Sequence, residues 1–186
     1  MIFLIAGLLL WSAIHFFPAL AVQTRANLIT RYGQPSYKGF FALLIICSIV
    51  LMVYGWRSVD AMLIYQPFAW SKGAAYVLVL LTFILFVAAK RRTNIKRILH
   101  HPQLCGVILW SIGHLLANGD HRSLILFAGI GVWALLEIIL INRRAGAWAK
   151  PEPVPVRSDL ITVVIGTILY LVVLKLHPYL SGATLI

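Results

Sequence analysis

Six stretches of apolar side chains, separated by short polar breaks, organise this 186-residue chain. They lie near residues 1–22, 39–56, 73–89, 102–118, 123–142 and 159–179. Each approaches the roughly 20 residues that a helix needs to cross a hydrocarbon core of about 30 Å. Lipid offers no partner to a free backbone N–H or C=O, so each stretch is expected to be helical. The pattern therefore predicts an all-α polytopic membrane protein. It reads as a single domain over residues 1–186, built as a six-transmembrane-helix bundle.

The breaks carry their own signals. Gly33, Gln34 and Pro35 interrupt the first connection, and Lys90, Arg91 and Arg92 close the third span. Asn118-Gly119-Asp120 predicts a tight turn between spans four and five. The run from Lys150 to Pro155 holds three prolines and predicts a stiff extended connector. Ser158 or Asp159 is then placed to cap the last helix. Between Arg57 and Lys72, Tyr65, Phe68 and Trp70 surround Pro67, the composition of a segment lying at the membrane interface. No internal repeat is visible.

Composition agrees with the pattern: 61% of the residues are hydrophobic and 11% charged. Soluble domains run at about 45–50% and about 25%. Disorder, a collagen-like fibre and an ordinary soluble globule are excluded. Charge adds orientation. Of the sixteen Lys and Arg, twelve fall in the first, third and fifth connections. The opposite side holds Arg57, Lys72, Arg122 and Lys175. The positive-inside rule places both termini on the side away from the cytoplasm, the periplasmic side if the host is a bacterium. The excess of +11 fits a bilayer with anionic headgroups as partner, with no role for nucleic acid. Ala19-Leu20-Ala21 looks like a signal-peptide cleavage site, but Arg25 and Arg31 follow the apolar run instead of preceding it. The first stretch is expected to stay as a span. Cys47 and Cys105 lie in apolar runs on separate spans, so they are expected to be buried thiols with no disulfide framework.

Ionisable groups inside a span cost free energy, which makes them functional candidates. His15 follows Trp11 by four residues and precedes Pro18, which frees the Ile14 carbonyl and should kink the helix. His114 follows Trp110 by four residues, with Gly113 keeping the helix surface open. In each helix the indole and the imidazole share a face. Neutral imidazole is a good iron ligand, and bundles hold haem between inward-facing histidines. The plainer reading is that each His hydrogen-bonds a neighbouring helix. At 1.5 Å per residue, His15 lies about 15 Å from Arg25 and His114 about 20 Å from His101. Helix tilt accommodates that offset for axial ligands of one porphyrin, whereas a small tetrahedral site would need further ligands. Asn118 and Asp120 are either only a turn or second partners that orient the ligand group. Glu137 is expected near the cytoplasmic end, reaching headgroups or a basic neighbour. His177-Pro178 is expected at the interface. His101 and Cys105 share a face, which alone does not define a zinc site.

The run Ile95-Lys96-Arg97-Ile98-Leu99-His100-His101-Pro102-Gln103-Leu104-Cys105-Gly106, continuing through Trp110 and His114-Leu115-Leu116-Ala117-Asn118-Gly119-Asp120, resembles the NnrU family. Gly7, His15, Pro18, Ala19 and Tyr37-Lys38-Gly39 agree, and the resemblance covers about residues 1–145. It implies a bacterial inner-membrane protein linked to nitric-oxide and nitrite metabolism in denitrifiers. That family is similar to the 15-cis-zeta-carotene isomerases, membrane enzymes with b-type haem. Their proposed histidine ligands correspond to His15 and His114. The resemblance thus implies haem b with iron on His15 and His114, Trp11 and Trp110 walling the pocket, and Asn118 and Asp120 supporting it. An apolar ligand or a redox partner would follow. The isomerases carry Cys three residues before the second His, where this chain has Ser111, a poor iron ligand beside thiolate. His101-Pro102 and Gly106 are also similar to a short motif of isoprenylcysteine-type membrane methyltransferases. The expected function is haem binding in nitrogen-oxide metabolism. The alternatives are a haem-dependent cis-trans isomerase of an apolar polyene, a membrane methyltransferase and a non-catalytic scaffold.

Overall fold

A computed structural model describes residues 1–181 of the chain. It is helical throughout, with an isolated antiparallel bridge between Leu63 and Asp120. The helices are α1 (Ile2–Leu20), α2 (Val22–Tyr32), α3 (Gln34–Arg57), α4 (Ser71–Lys90), α5 (Pro102–Ala117), α6 (His121–Ala145) and α7 (Val156–Ser181), with a 3-10 turn at Asn94–Arg97. Five of them are long and apolar enough to cross a membrane: α1, α3, α4, α6 and α7. The apolar helix α5 has 16 residues, about 24 Å at 1.5 Å per residue. It is the one of the six expected spans that falls short of the usual length.

The chain divides into two compact units. The first comprises Met1–Pro67 and Asn118–Ala147, with α1, α2, α3 and α6. Its seams are made by small residues. Gly7 on α1 lies against the backbone of Ser48 and Met52 on α3, and Gly55 on α3 against the backbone of Leu4. Gly129 on α6 receives Leu8. In lipid the helices gain nothing by hiding apolar surface from each other, so close backbone approach and dispersion must hold them. Leu4, Ser48 and Ala134 are accordingly sealed.

The second unit comprises Phe68–Ala117 and the segment from Trp148 onward, with α4, α5 and α7. Here α4 is central. Gly106 on α5 sits at Thr82 and Phe86, and Gly113 at Ala75 and Val79, so α5 runs back antiparallel along α4. The Thr82 hydroxyl donates to the Gly106 carbonyl at 3.0 Å. Gly166 on α7 lies against Ile84.

Three expectations need correction. The first connection is not a simple break. Gly33, at φ +81°, joins α3 to an extra helix, α2, whose half-buried Arg25, Leu28 and Ile29 share one face. Neither Ser158 nor Asp159 caps α7, which already begins at Val156. Asp159 instead accepts from the Thr93 hydroxyl, from Asn94 N at 2.7 Å and from Asn94 Nδ2 at 2.6 Å, while the Ser158 hydroxyl donates to the Arg92 carbonyl. They pin the α4–α5 connection to α7. Nor are the cysteines buried. Cys47 is exposed and Cys105 half-buried, both as free thiols. In a chain surrounded by lipid an apolar position is as well placed facing outward as inward, so apolarity does not report burial.

Candidate functional site

The two histidines singled out by their place in apolar spans are presented alike. Nδ1 of His15 lies 2.8 Å from the Trp11 carbonyl, and Nδ1 of His114 lies 2.9 Å from the Trp110 carbonyl. A carbonyl only accepts, so in the neutral ring Nδ1 carries the proton and Nε2 keeps its lone pair. This is the arrangement in which proteins usually offer an imidazole to a metal.

The sequences that build this geometry repeat. Gly7-Leu-Leu-Leu-Trp11-Ser12-Ala-Ile-His15 and Gly106-Val-Ile-Leu-Trp110-Ser111-Ile-Gly-His114 agree at Gly, the Leu before Trp, Trp, Ser and His. The structural roles match too. Each glycine lets its helix lie against a neighbour bearing a fully buried hydroxyl residue, Ser48 on α3 and Thr82 on α4. A short internal repeat therefore exists, and it was legible in the common eight-residue spacing from Gly to His.

In the first unit, His15 is half-buried among rings. Its centroid lies 4.3 Å from Trp11, 4.8 Å from Trp133 and 5.8 Å from Phe41. Trp133 is 6% exposed, and its indole N–H, like that of Trp11, has no hydrogen-bond partner. Two unsatisfied donors beside one imidazole mark a polar spot in an apolar wall. Sequence reasoning missed Trp133. Its spacing of four from Glu137 on α6 repeats the Trp-to-His spacing of α1. Glu137 Oε2 is buried without a hydrogen-bond partner.

In the second unit, Trp110 lies 4.7 Å from His114, and the His177 ring comes within 6.4 Å of His114. His177, expected at the interface, thus belongs to the surroundings of His114. The Ser111 hydroxyl, in the place of the isomerase-type cysteine, is buried without a partner. His100 stacks between His101 and Trp148, at 3.9 and 5.0 Å. Among the described residues no group of three or more His, Cys, Asp or Glu could hold a bare metal ion.

Asn118 and Asp120 occupy the turn into α6. Gly119 O accepts from Ile64 N at 2.8 Å and Tyr65 N at 3.1 Å, and the Tyr65 hydroxyl donates to Asn118 O. Asp120 caps α6, accepting from Arg122 N at 3.0 Å, Ser123 N at 3.1 Å and the Ser123 hydroxyl at 2.5 Å. Arg122 in turn donates to Val59 O and lies 4.8 Å over the Trp56 ring. Partial burial of Asp120 works against its ionisation. Ser123 and Arg122 outweigh that cost and hold the carboxyl below the usual aspartate range.

A depressed carboxyl stabilises the fold fully above its unfolded value of about 3.9, and the contribution disappears as pH falls through the lower folded value. In detergent, tryptophan-fluorescence melts should lose stability as pH falls below about 5 and on through the depressed Asp120 value. Asp120→Asn should start less stable and show a flatter profile. An unchanged slope in that variant would remove Asp120 from the acid response.

One comparison with known proteins, that with family models, agrees with the sequence resemblance. No curated protein sequence and no solved structure matches the chain. The family model described as NnrU protein matches residues 3–185. With essentially its whole length inside that match, the chain belongs to the NnrU family.

Proposed function

We propose that this NnrU-family chain is a six-span protein of the bacterial inner membrane that holds b-type haem through Nε2 of His15 and of His114, in the service of nitric-oxide or nitrite metabolism. The observation that carries the reading is the shared hydrogen bond from Nδ1 to the tryptophan carbonyl four residues back. It fixes the tautomer and the ring before any metal arrives, which reduces the ordering cost of ligation. The donor set fits the group, because two neutral imidazoles suit haem iron and do not complete a small tetrahedral site. Haem held by both histidines would supply an iron centre able to exchange electrons. Trp11 and Trp133 wall His15, and Trp110 lies against His114. Ser111 in place of a thiolate favours a resident haem over ligand-exchange isomerisation of a polyene.

Absorption spectra of detergent-purified full-length protein, expressed with ample haem, test the proposal. A Soret band that copurifies with the chain is expected, and its absence removes the reading.

The six-span topology has support beyond apolarity. The chain leaves the first unit at Pro67, enters α4, turns and returns through α5 to Asn118. Residues 62–65 bond directly to residues 118–121: Met62 O accepts from His121 N at 3.0 Å, and Met62 N donates to His121 Nδ1 at 3.2 Å. Departure and return thus lie together, which supports a pair of crossings by α4 and α5, with the short α5 met by local thinning or by its flanks. In a cysteine-free background, Asp60→Cys should be labelled by an impermeant thiol reagent from the periplasmic side and Lys96→Cys from the cytoplasmic side. Labelling of both from one side would overturn the topology.

A further inference from the structure

A cavity of about 220 Å³ opens where α1, α2 and α3 meet, lined by Pro18, Arg25, Gln34, Tyr37, Lys38 and Phe41. Two of its polar groups are buried and unsatisfied: Arg25 Nε and the Tyr37 hydroxyl. Arg25 lies 5.9 Å over the Tyr37 ring, which turns the guanidinium and the phenol toward one region. A third cation stands at the rim, because Arg144 donates to the Pro18 carbonyl at 2.9 Å. Glu137 lies within electrostatic reach of Arg144 and partly offsets it, which leaves Arg25 and Lys38 as the leading charges. Phe41 and Pro18 close the apolar side. Unpaired buried donors cost free energy, and a fold retains them where a ligand satisfies them. Two cations, a phenolic donor and an apolar floor match a phosphate ester attached to a hydrocarbon chain.

We propose that this cavity binds the phosphate of an anionic phospholipid, with Arg25 and Lys38 carrying the charge and the Tyr37 hydroxyl donating to a phosphate oxygen. The proposal rests on the membrane reading of the chain and does not depend on haem. The α2 helix is the device that makes the site. It has no buried residue of its own and returns the chain along the boundary, which brings Arg25 over the first turns of α3. Free phosphate shares the headgroup chemistry but lacks the acyl chains that would lie along Phe41.

Native mass spectrometry of the full chain in detergent tests this, with phosphatidylglycerol set against phosphatidylcholine and inorganic phosphate as a third arm. Wild type should retain phosphatidylglycerol preferentially. Arg25→Gln and Lys38→Gln should each weaken retention about fivefold, the usual worth of one cation near a lipid surface. Tyr37→Phe keeps the ring and should weaken retention without lowering the melting temperature of the lipid-free protein. Arg157→Gln, a basic change in the other unit, should leave retention unchanged. Protection by inorganic phosphate that Arg25→Gln abolishes would keep the site and assign it to free phosphate. Equal retention of the two lipids without phosphate protection, or equal losses in Arg157→Gln and Arg25→Gln, would overturn the proposal.

Discussion

Gly55→Ala should separate α1 from α3 and cost about 1–3 kcal/mol or more, the usual penalty of forcing atoms into a packed seam. A Cβ at Gly55 would lie 2.2 Å from Leu4 N and 2.7 Å from Leu4 Cα. Those are backbone atoms, so no rotamer change relieves the clash and a helix must move. The movement would also loosen Gly7 from Ser48 and Met52, since both contacts belong to one crossing. Gly73→Ala provides the control. Its Cβ would meet nothing within 4 Å on α4. There the helix propensity of Ala should show alone, as a gain of up to about 1 kcal/mol. Thermal or denaturant unfolding in detergent reads both signs. A neutral Gly55→Ala would mean that α1 and α3 do not approach as closely as described.

If both histidines hold haem as proposed, His15→Ala and His114→Ala should each shift the Soret band and weaken haem retention, and the double variant should carry no haem. Loss of a group that merely orients a ligand histidine costs about 10–100-fold in metal affinity, so loss of the ligand itself should cost at least that much. Each variant is informative because the rest of its wall persists: Trp11 and Trp133 remain around one vacancy, Trp110 and His177 around the other. His177→Ala should keep the spectrum, which separates a neighbouring imidazole from a ligating one. If both single variants keep an unaltered band, His15 and His114 are not the ligands. If wild type has no band and the variants lose little stability, the scaffold reading takes over.

The apolar helices were legible because lipid imposes one rule along the whole chain. The six apolar stretches correspond to α1, α3, α4, α5, α6 and α7, and α4 ends at Lys90 as the basic run implies. The helix α2 was hidden because a search for continuous apolarity passes over a short helix in which polar and apolar residues alternate. Its signal lay in periodicity, with Arg25, Leu28 and Ile29 on one face. The histidines and their tryptophans were legible from local spacing, since residues four apart on a helix share a side. Trp133 beside His15 and His177 beside His114 were not, because those neighbours are set by which helices pack together, and no local pattern encodes that choice. The misjudged cysteines have a similar origin: apolarity separates inside from outside only when the outside is water.

The order in which the polypeptide is made gives the interleaved units a temporal meaning. The ribosome delivers α1, α2 and α3, then all of α4 and α5, and only then α6, whose Trp133 completes the wall around His15. Until α6 emerges, the nascent first unit displays that imidazole and the Trp11 indole without their lid. The surroundings of His15 are therefore complete only once the fifth apolar segment has been made.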